Sequence, residues 1–146
     1  DLSKKYLEWG RRNFELNGVD PSGHDFIYGD VFDWLGRFGR RHRKFDLIIL
    51  DPPTFSQSRE HGIFRAPKDF GDLVAAAAPL LRRDGVLLAA SNAAQWAPEF
   101  FLEAVRGGFQ TAGVEMKAVH YVPQPPDFPV SRLEPAYLKT AWCRAA

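Results

Sequence analysis

Apolar positions recur along the chain in two rhythms, one helical and one of short unbroken runs. Phe70, Leu73, Val74, Ala77 and Leu81 stand at i, i+3, i+4, i+7 and i+11, which predicts one buried stripe on a helix opened by Pro67. Pro79 lies late in that helix and should bend its last turn. A second helix is predicted over residues 4–16, with Leu2, Tyr6, Trp9 and Leu16 as its apolar or aromatic positions. Asp1 and Ser3 suit its start, and Gly18 closes it before a loop at residues 21–23. Residues 31–38 predict a short helix carrying Phe32, Trp34, Leu35 and Phe38, and Pro98 opens a last one through Phe109, with Phe101 and Val105 on one side. The unbroken runs read as strands. Residues 47–50 are too short for a helix and rich in β-branched side chains, as befits a central strand buried on both faces. Residues 86–92 follow an Asp84-Gly85 turn as a second buried strand with a polar end. Residues 25–30 form a shorter candidate, and 114–122 and 137–143 two more, separated by a stretch too rich in proline (123–129) for any regular element. Helices and strands alternate until the end, predicting an α/β fold with a mainly parallel sheet that finishes in an antiparallel pair.

The chemistry gathers where the first long strand stops. Asp51-Pro-Pro-Thr-Phe55 follows Leu50 directly. Pro52 and Pro53 offer no N–H to a ladder and hold φ near −65°, so pairing ends there. A carboxylate and two rigid carbonyls are thereby presented at the carboxyl end of a strand, where open α/β sheets bind ligands. Thr54 adds a hydroxyl and Phe55 an aromatic face. A plain turn would use the same residue types. Two further acids share this setting, since Asp30 ends the candidate strand 25–30 and Asp1 precedes the first helix. Carboxylates on such a rim commonly accept hydrogen bonds from ribose hydroxyls or an adenine amine. Both could instead be helix caps.

Composition narrows the classes. The chain has 146 residues, 45% hydrophobic and 25% charged, with 19 basic against 18 acidic side chains for a formal charge of +1. This is an ordinary globular balance that neither demands nor excludes a polyanionic partner. Cys143 is the only cysteine, so no intrachain disulfide or cysteine cluster for zinc can form, and a reducing, cytoplasmic setting is expected. No apolar run approaches the ~20 residues of a membrane span. The histidines (24, 42, 61 and 120) lack metal-ligand spacing, so no metal site is expected. The chain starts without methionine and runs straight into a helix, as a piece of a longer protein would.

Asp1-Leu-Ser3, Asn13, Leu16-Asn-Gly18, Gly29-Asp30 and the run from Phe45 to Ser56 resemble the class I S-adenosylmethionine-dependent methyltransferases. Within that class they are similar to bacterial 23S ribosomal RNA methyltransferases, of the guanine-N7 kind and its 5-methylcytosine relatives. The likeness is closest from Asp1 to about Asn92 and looser beyond. It implies a Rossmann-like α/β sheet, mainly parallel with an antiparallel last strand and with the N-terminal strands missing. Residues 1–146 would be the C-terminal part of a single catalytic domain. The implied cofactor is S-adenosylmethionine and the implied partner is RNA. Cofactor contacts fall on Asp1, Leu2, Asp30, Val31, Phe32 and Asp51; Asp51, Pro52, Pro53 and Phe55 would act on the target base. The family's glycine-rich cofactor loop should precede Asp1, so this chain alone is expected to be inactive. Cytosine-C5 chemistry needs a cysteine nucleophile, which in relatives lies near residues 90–92. Here only Cys143 exists, placed as a small core residue, which favours a nitrogen target.

The remaining charges divide by position. Arg37, Arg40, Arg41, Arg43 and Lys44 enter the strand at its amino end, away from the rim, and read as a solvated connection rather than a phosphate track. Arg59, His61 and Arg65 follow the motif in a polar loop that looks mobile and is better placed to meet a substrate. Trp96 suits either the pocket border or the core. Alternatives to RNA-base methylation are another planar nitrogen, on DNA adenine or a protein amide, and a non-catalytic α/β binding domain. An exposed sheet edge, if present, would invite self-association.

Overall fold

The computed structural model describes residues 1–58, 62–128, 130–133 and 135–146. Helix α1 (Lys4–Leu16) starts where the Ser3 hydroxyl accepts the Tyr6 amide proton at 3.3 Å, and stops at Asn17 and a left-handed Gly18. Its aromatic stripe is not a core stripe: no residue of α1 is buried, and Tyr6, Trp9 and Leu16 all stand exposed. Helix α2 (Val31–Arg40) follows an Asp30 cap, and its Arg43 neighbour bonds Asp25 at 2.8 Å while Lys44 donates to the Pro79 carbonyl at 2.6 Å. Those two cations of the basic connection thus brace the fold.

Strands β1 (Phe45–Leu50), β2 (Phe55–Ser58) and β3 (Gly62–Arg65) come next, then helix α3 (Ala66–Ala77). Phe70, Leu73, Val74 and Ala77 of its predicted stripe are buried on the helix, but Pro79 converts the continuation into a 3₁₀ turn at Ala78–Leu80, so Leu81, predicted as the last stripe position, is buried as the first residue of the next strand instead. Strand β4 (Leu81–Ser91), helix α4 (Pro98–Thr111), β5 (Met116–Pro123) and β6 (Lys139–Ala145) complete the chain. The main sheet has the order β1-β4-β6-β5. β1 is parallel to β4, while β6 is antiparallel to both of its neighbours, β4 and β5. The last strand alone therefore runs against the other three. Alternate residues of β4 and β6, among them Leu87, Ala89, Ala141 and Cys143, join Phe70, Val74, Phe101, Val105 and Phe109 of α3 and α4 in one core. Among the described residues no helix is long and apolar enough to cross a membrane.

Four expectations need correction. β1 is not buried on both faces: Leu50 is 6% exposed, but Leu47 and Ile49 are 49% and 59% exposed. β1 is the sheet's edge, and only one of its faces meets the helices. Residues 25–30 form no strand because no ladder reaches them; the segment is joined to residue 1 by two backbone bonds, Asp1 N–H to the Ile27 carbonyl and Gly29 N–H to the Asp1 carbonyl, both at 3.0 Å. The supposed mobile loop after Phe55 is instead a hairpin, with Phe55 opposite Arg65 and Ser56 opposite Phe64. Arg59 and His61 lie outside the described residues. Asp84-Gly85 is no turn between elements but an irregularity within β4, where the register jumps from Phe45↔Leu81 to Leu47↔Val86 and Asp84 takes φ 62°.

Candidate active-site cleft

Asp51-Pro-Pro-Thr-Phe55 leaves β1 at its carboxyl end and passes into the hairpin. Asp51 is exposed, and Asp51, Pro52 and Pro53 all line a cleft of about 910 Å³. Asp1, Leu2, Asp30, Val31 and Phe32 line the same cleft, so the structure brings both predicted groups of residues to one place. Two bonds through the backbone of residue 1 hold the Asp1 end beside Gly29-Asp30. Each acid also has a local task. Asp1 Oδ1 accepts the Ser3 amide proton at 2.6 Å, and Asp30, only 8% exposed, accepts that of Phe32 at 2.9 Å as the cap of α2. The cap reading of Asp30 is therefore real, and the capped carboxylate still borders the cleft.

Phe55 and Thr54 stand just outside that lining. The Phe55 ring is 55% exposed with the Arg65 guanidinium 5.9 Å from its centroid. Thr54 is held twice, its carbonyl accepting the Ala66 amide proton and its hydroxyl donating to Asn92 Oδ1, each at 3.0 Å. Trp96 belongs to the core, 6% exposed and edge-on to Phe70 and Phe101. Cys143 is wholly buried, and burial pushes its thiol up to about 11. At neutral pH it stays protonated and unreactive.

Sequence reasoning missed part of the cleft. Ser56, Ile63 and Phe64 reach it from the hairpin, and Asp69 and Asp72 from α3. The two α3 acids carried a signal: they sit at i, i+3, flanking the apolar stripe, on the helix that follows the motif. Asp69 also accepts the Arg65 amide proton at 2.7 Å. With Asp1, Asp30 and Asp51 they give the cleft carboxylates on several sides, and no described lining residue is a lysine or arginine. A cleft of one sign concentrates ligands of the other. This one suits a cation or an amine and repels phosphate.

Comparison with known proteins places this arrangement. The family model described as S-adenosylmethionine-dependent methyltransferase matches residues 1–143. Ribosomal RNA large subunit methyltransferase K of Neisseria meningitidis serogroup B is 43% identical over 93 residues, 63% of this chain and 26% of that protein. Ribosomal RNA large subunit methyltransferase I of Aeromonas salmonicida is 35% identical over 147 residues, 99% of this chain and 37% of that protein. The chain thus spans roughly a quarter to a little over a third of these relatives. The crystal structure of SMU.776 complexed with SAH superposes with a TM-score of 0.83 at 29% identity, covering 99% of this chain and 37% of that one. A SAM-dependent methyltransferase from Agrobacterium tumefaciens shares the fold, at TM-score 0.72 and 18% identity. On its sequence, its fold and its cleft, the chain belongs to the S-adenosylmethionine-dependent methyltransferases.

Proposed function

We propose that the protein carrying this chain methylates a nitrogen of an RNA base, guanine in large-subunit ribosomal RNA, in the cytoplasm, and that residues 1–146 are the C-terminal part of its single catalytic domain. The observation that carries this reading is the meeting of Asp51-Pro-Pro with Asp1 and Asp30 at one acidic cleft. The residues present fit the nucleoside half of S-adenosylmethionine. Asp1 would accept from the ribose hydroxyls and Asp30 from the adenine amine, with Leu2, Val31 and Phe32 as apolar walls. The carboxylates favour a sulfonium over an anion. When bound, the cofactor supplies an electrophilic methyl group.

The chain's own residues then have a positioning task, because in-line displacement rewards correct placement of the nucleophile above all. The Asp51 carboxylate and the Pro52 and Pro53 carbonyls accept hydrogen bonds from the donor edge of a base. Phe55, exposed and backed by Arg65, offers a stacking face worth ~1–3 kcal/mol to a base taken out of its helix. A ring nitrogen attacks with its lone pair and needs no general base. Phosphates are kept at the rim by the same carboxylates, so only the base enters. The names of the K and I relatives support ribosomal RNA as the substrate class.

The test is transfer of labelled methyl groups from S-adenosylmethionine to unmodified ribosomal RNA by the full gene product. Asp51→Ala should abolish transfer while leaving the melting temperature unchanged. Full activity in that variant would overturn the assignment of the motif.

A further inference from the structure

Asn92 is the first residue after β4 and is exposed beside the motif. The Thr54 hydroxyl donates to its Oδ1 at 3.0 Å. A carboxamide is planar, with oxygen and nitrogen on opposite arms, so fixing Oδ1 against Thr54 turns the two Nδ2 hydrogens away from it. Among the described residues no protein group accepts them. The backbone that carries Asn92 is also held firmly. Ala93 N–H bonds the Ser91 hydroxyl at 3.3 Å, and the Ala93 carbonyl accepts both Trp96 N–H at 3.1 Å and Lys139 Nζ at 2.8 Å. Lys139 is 3% exposed, and its second bond, to the Tyr137 carbonyl at 2.6 Å, ties this loop to the start of β6. A charged donor buried for the sake of two carbonyls makes a stiff support, since charge-assisted bonds are the stronger kind.

The motif itself supplies only acceptors toward a base: one carboxylate and the prolyl carbonyls. Such a set reads N–H donors, the N1–H and 2-amine of guanine or the 6-amine of adenine, but cannot contact an exocyclic oxygen. A fixed donor next to it can. Continuing the β1–β4 register places Asp51 level with Ala90, so Asn92 lies two residues farther along, about 6–7 Å at the usual strand rise. That is within the span of one base.

We infer that Asn92 is a specificity-determining residue, donating from Nδ2 to the exocyclic oxygen of the target base and so selecting guanine over adenine. This rests on the base-nitrogen reading above. Thr54 and Lys139 are positioning residues for it, one orienting the amide and the other fixing its loop.

The experiment uses the full gene product, labelled S-adenosylmethionine and transcribed, unmodified ribosomal RNA. Asn92→Asp keeps an oxygen for the Thr54 hydroxyl and the size of the side chain, but removes both N–H donors. It should lower kcat/KM for RNA roughly ten- to a hundredfold, the range for one good contact to a base edge, with the melting temperature and the affinity for S-adenosylhomocysteine unchanged. Mass spectrometry of the digested product should show methylated guanosine. If Asn92→Asp works as well as wild type while Asn92→Ala does not, the amide merely props Thr54 and the inference falls. Methylated adenosine as the wild-type product would also overturn it, because adenine has no exocyclic oxygen. If wild type transfers nothing to RNA, the base-nitrogen reading itself fails and takes this inference with it.

Discussion

Gly29 sits between Asp1 and Asp30 in the lining of the cleft, on the side proposed to hold the cofactor. Its φ is 134°, in the region that side chains avoid, and an added Cβ would lie 2.8 Å from Trp34 Nε1, which itself donates to the Tyr28 carbonyl at 3.1 Å. Its N–H also bonds the Asp1 carbonyl. Gly29→Ala must therefore move either the indole or the backbone that carries Asp30. A cost of roughly 1–3 kcal/mol is expected, read as a lower melting temperature, together with a several-fold weaker S-adenosylhomocysteine affinity by calorimetry. An unchanged affinity would show that this turn does not set the spacing of Asp1 and Asp30. At this scale the sequence was informative about which residues matter and silent about how many tasks each has. A carboxylate before a helix is equally suited to cap it or to face a ligand, and Asp30 does the first while bordering the site of the second. Asn92 illustrates the opposite limit. Its importance comes from a bond to Thr54 across 38 positions, a separation no local pattern encodes.

Helices α3 and α4 were legible because each buries its own stripe, and a stripe is written in one segment of sequence. Their closeness was not legible. Gly108 lies where an added Cβ would be 2.6 Å from Val74 Cβ and 2.7 Å from the Gly71 carbonyl oxygen, so the two backbones approach as only glycine allows. Gly108→Ala should push the helices apart and destabilise the domain by about 1–3 kcal/mol, the usual cost of overpacking. Urea unfolding would measure it, and a stabilised variant would contradict the close approach. Strand-like segments were harder to read, because a strand exists only through its partner. Residues 25–30 have the right composition but no ladder beyond residue 1, whereas Phe55–Ser58 and Gly62–Arg65 look like polar loop yet pair with each other. The hairpin shapes the proposed site, since it delivers Ser56, Ile63 and Phe64 to the cleft and sets Arg65 over Phe55.

The sheet as a whole has one face packed and one open. Ile49, Leu88, Trp142 and His120 form a row across all four strands on the open face, with Leu47 and Val86 in the next row. Leu47, Ile49 and Trp142 are 49%, 59% and 44% exposed. β1 adds an unpaired edge to the same region. The sequence pointed the other way, because an unbroken apolar run is what a strand covered on both faces requires, and periodicity cannot tell whether the cover is present. An apolar face beside a free edge invites association, which charged side chains on the edge oppose. The 146-residue chain by itself should accordingly self-associate as its concentration rises, in sedimentation velocity. Leu47→Lys should return it toward monomer, with stability altered by no more than about 0.5 kcal/mol because the position is half exposed. Leu47 does not line the cleft, so this change separates association from ligand binding. A wild-type chain that stays monomeric at every concentration would mean that the open face is tolerated in water and that the edge needs no partner.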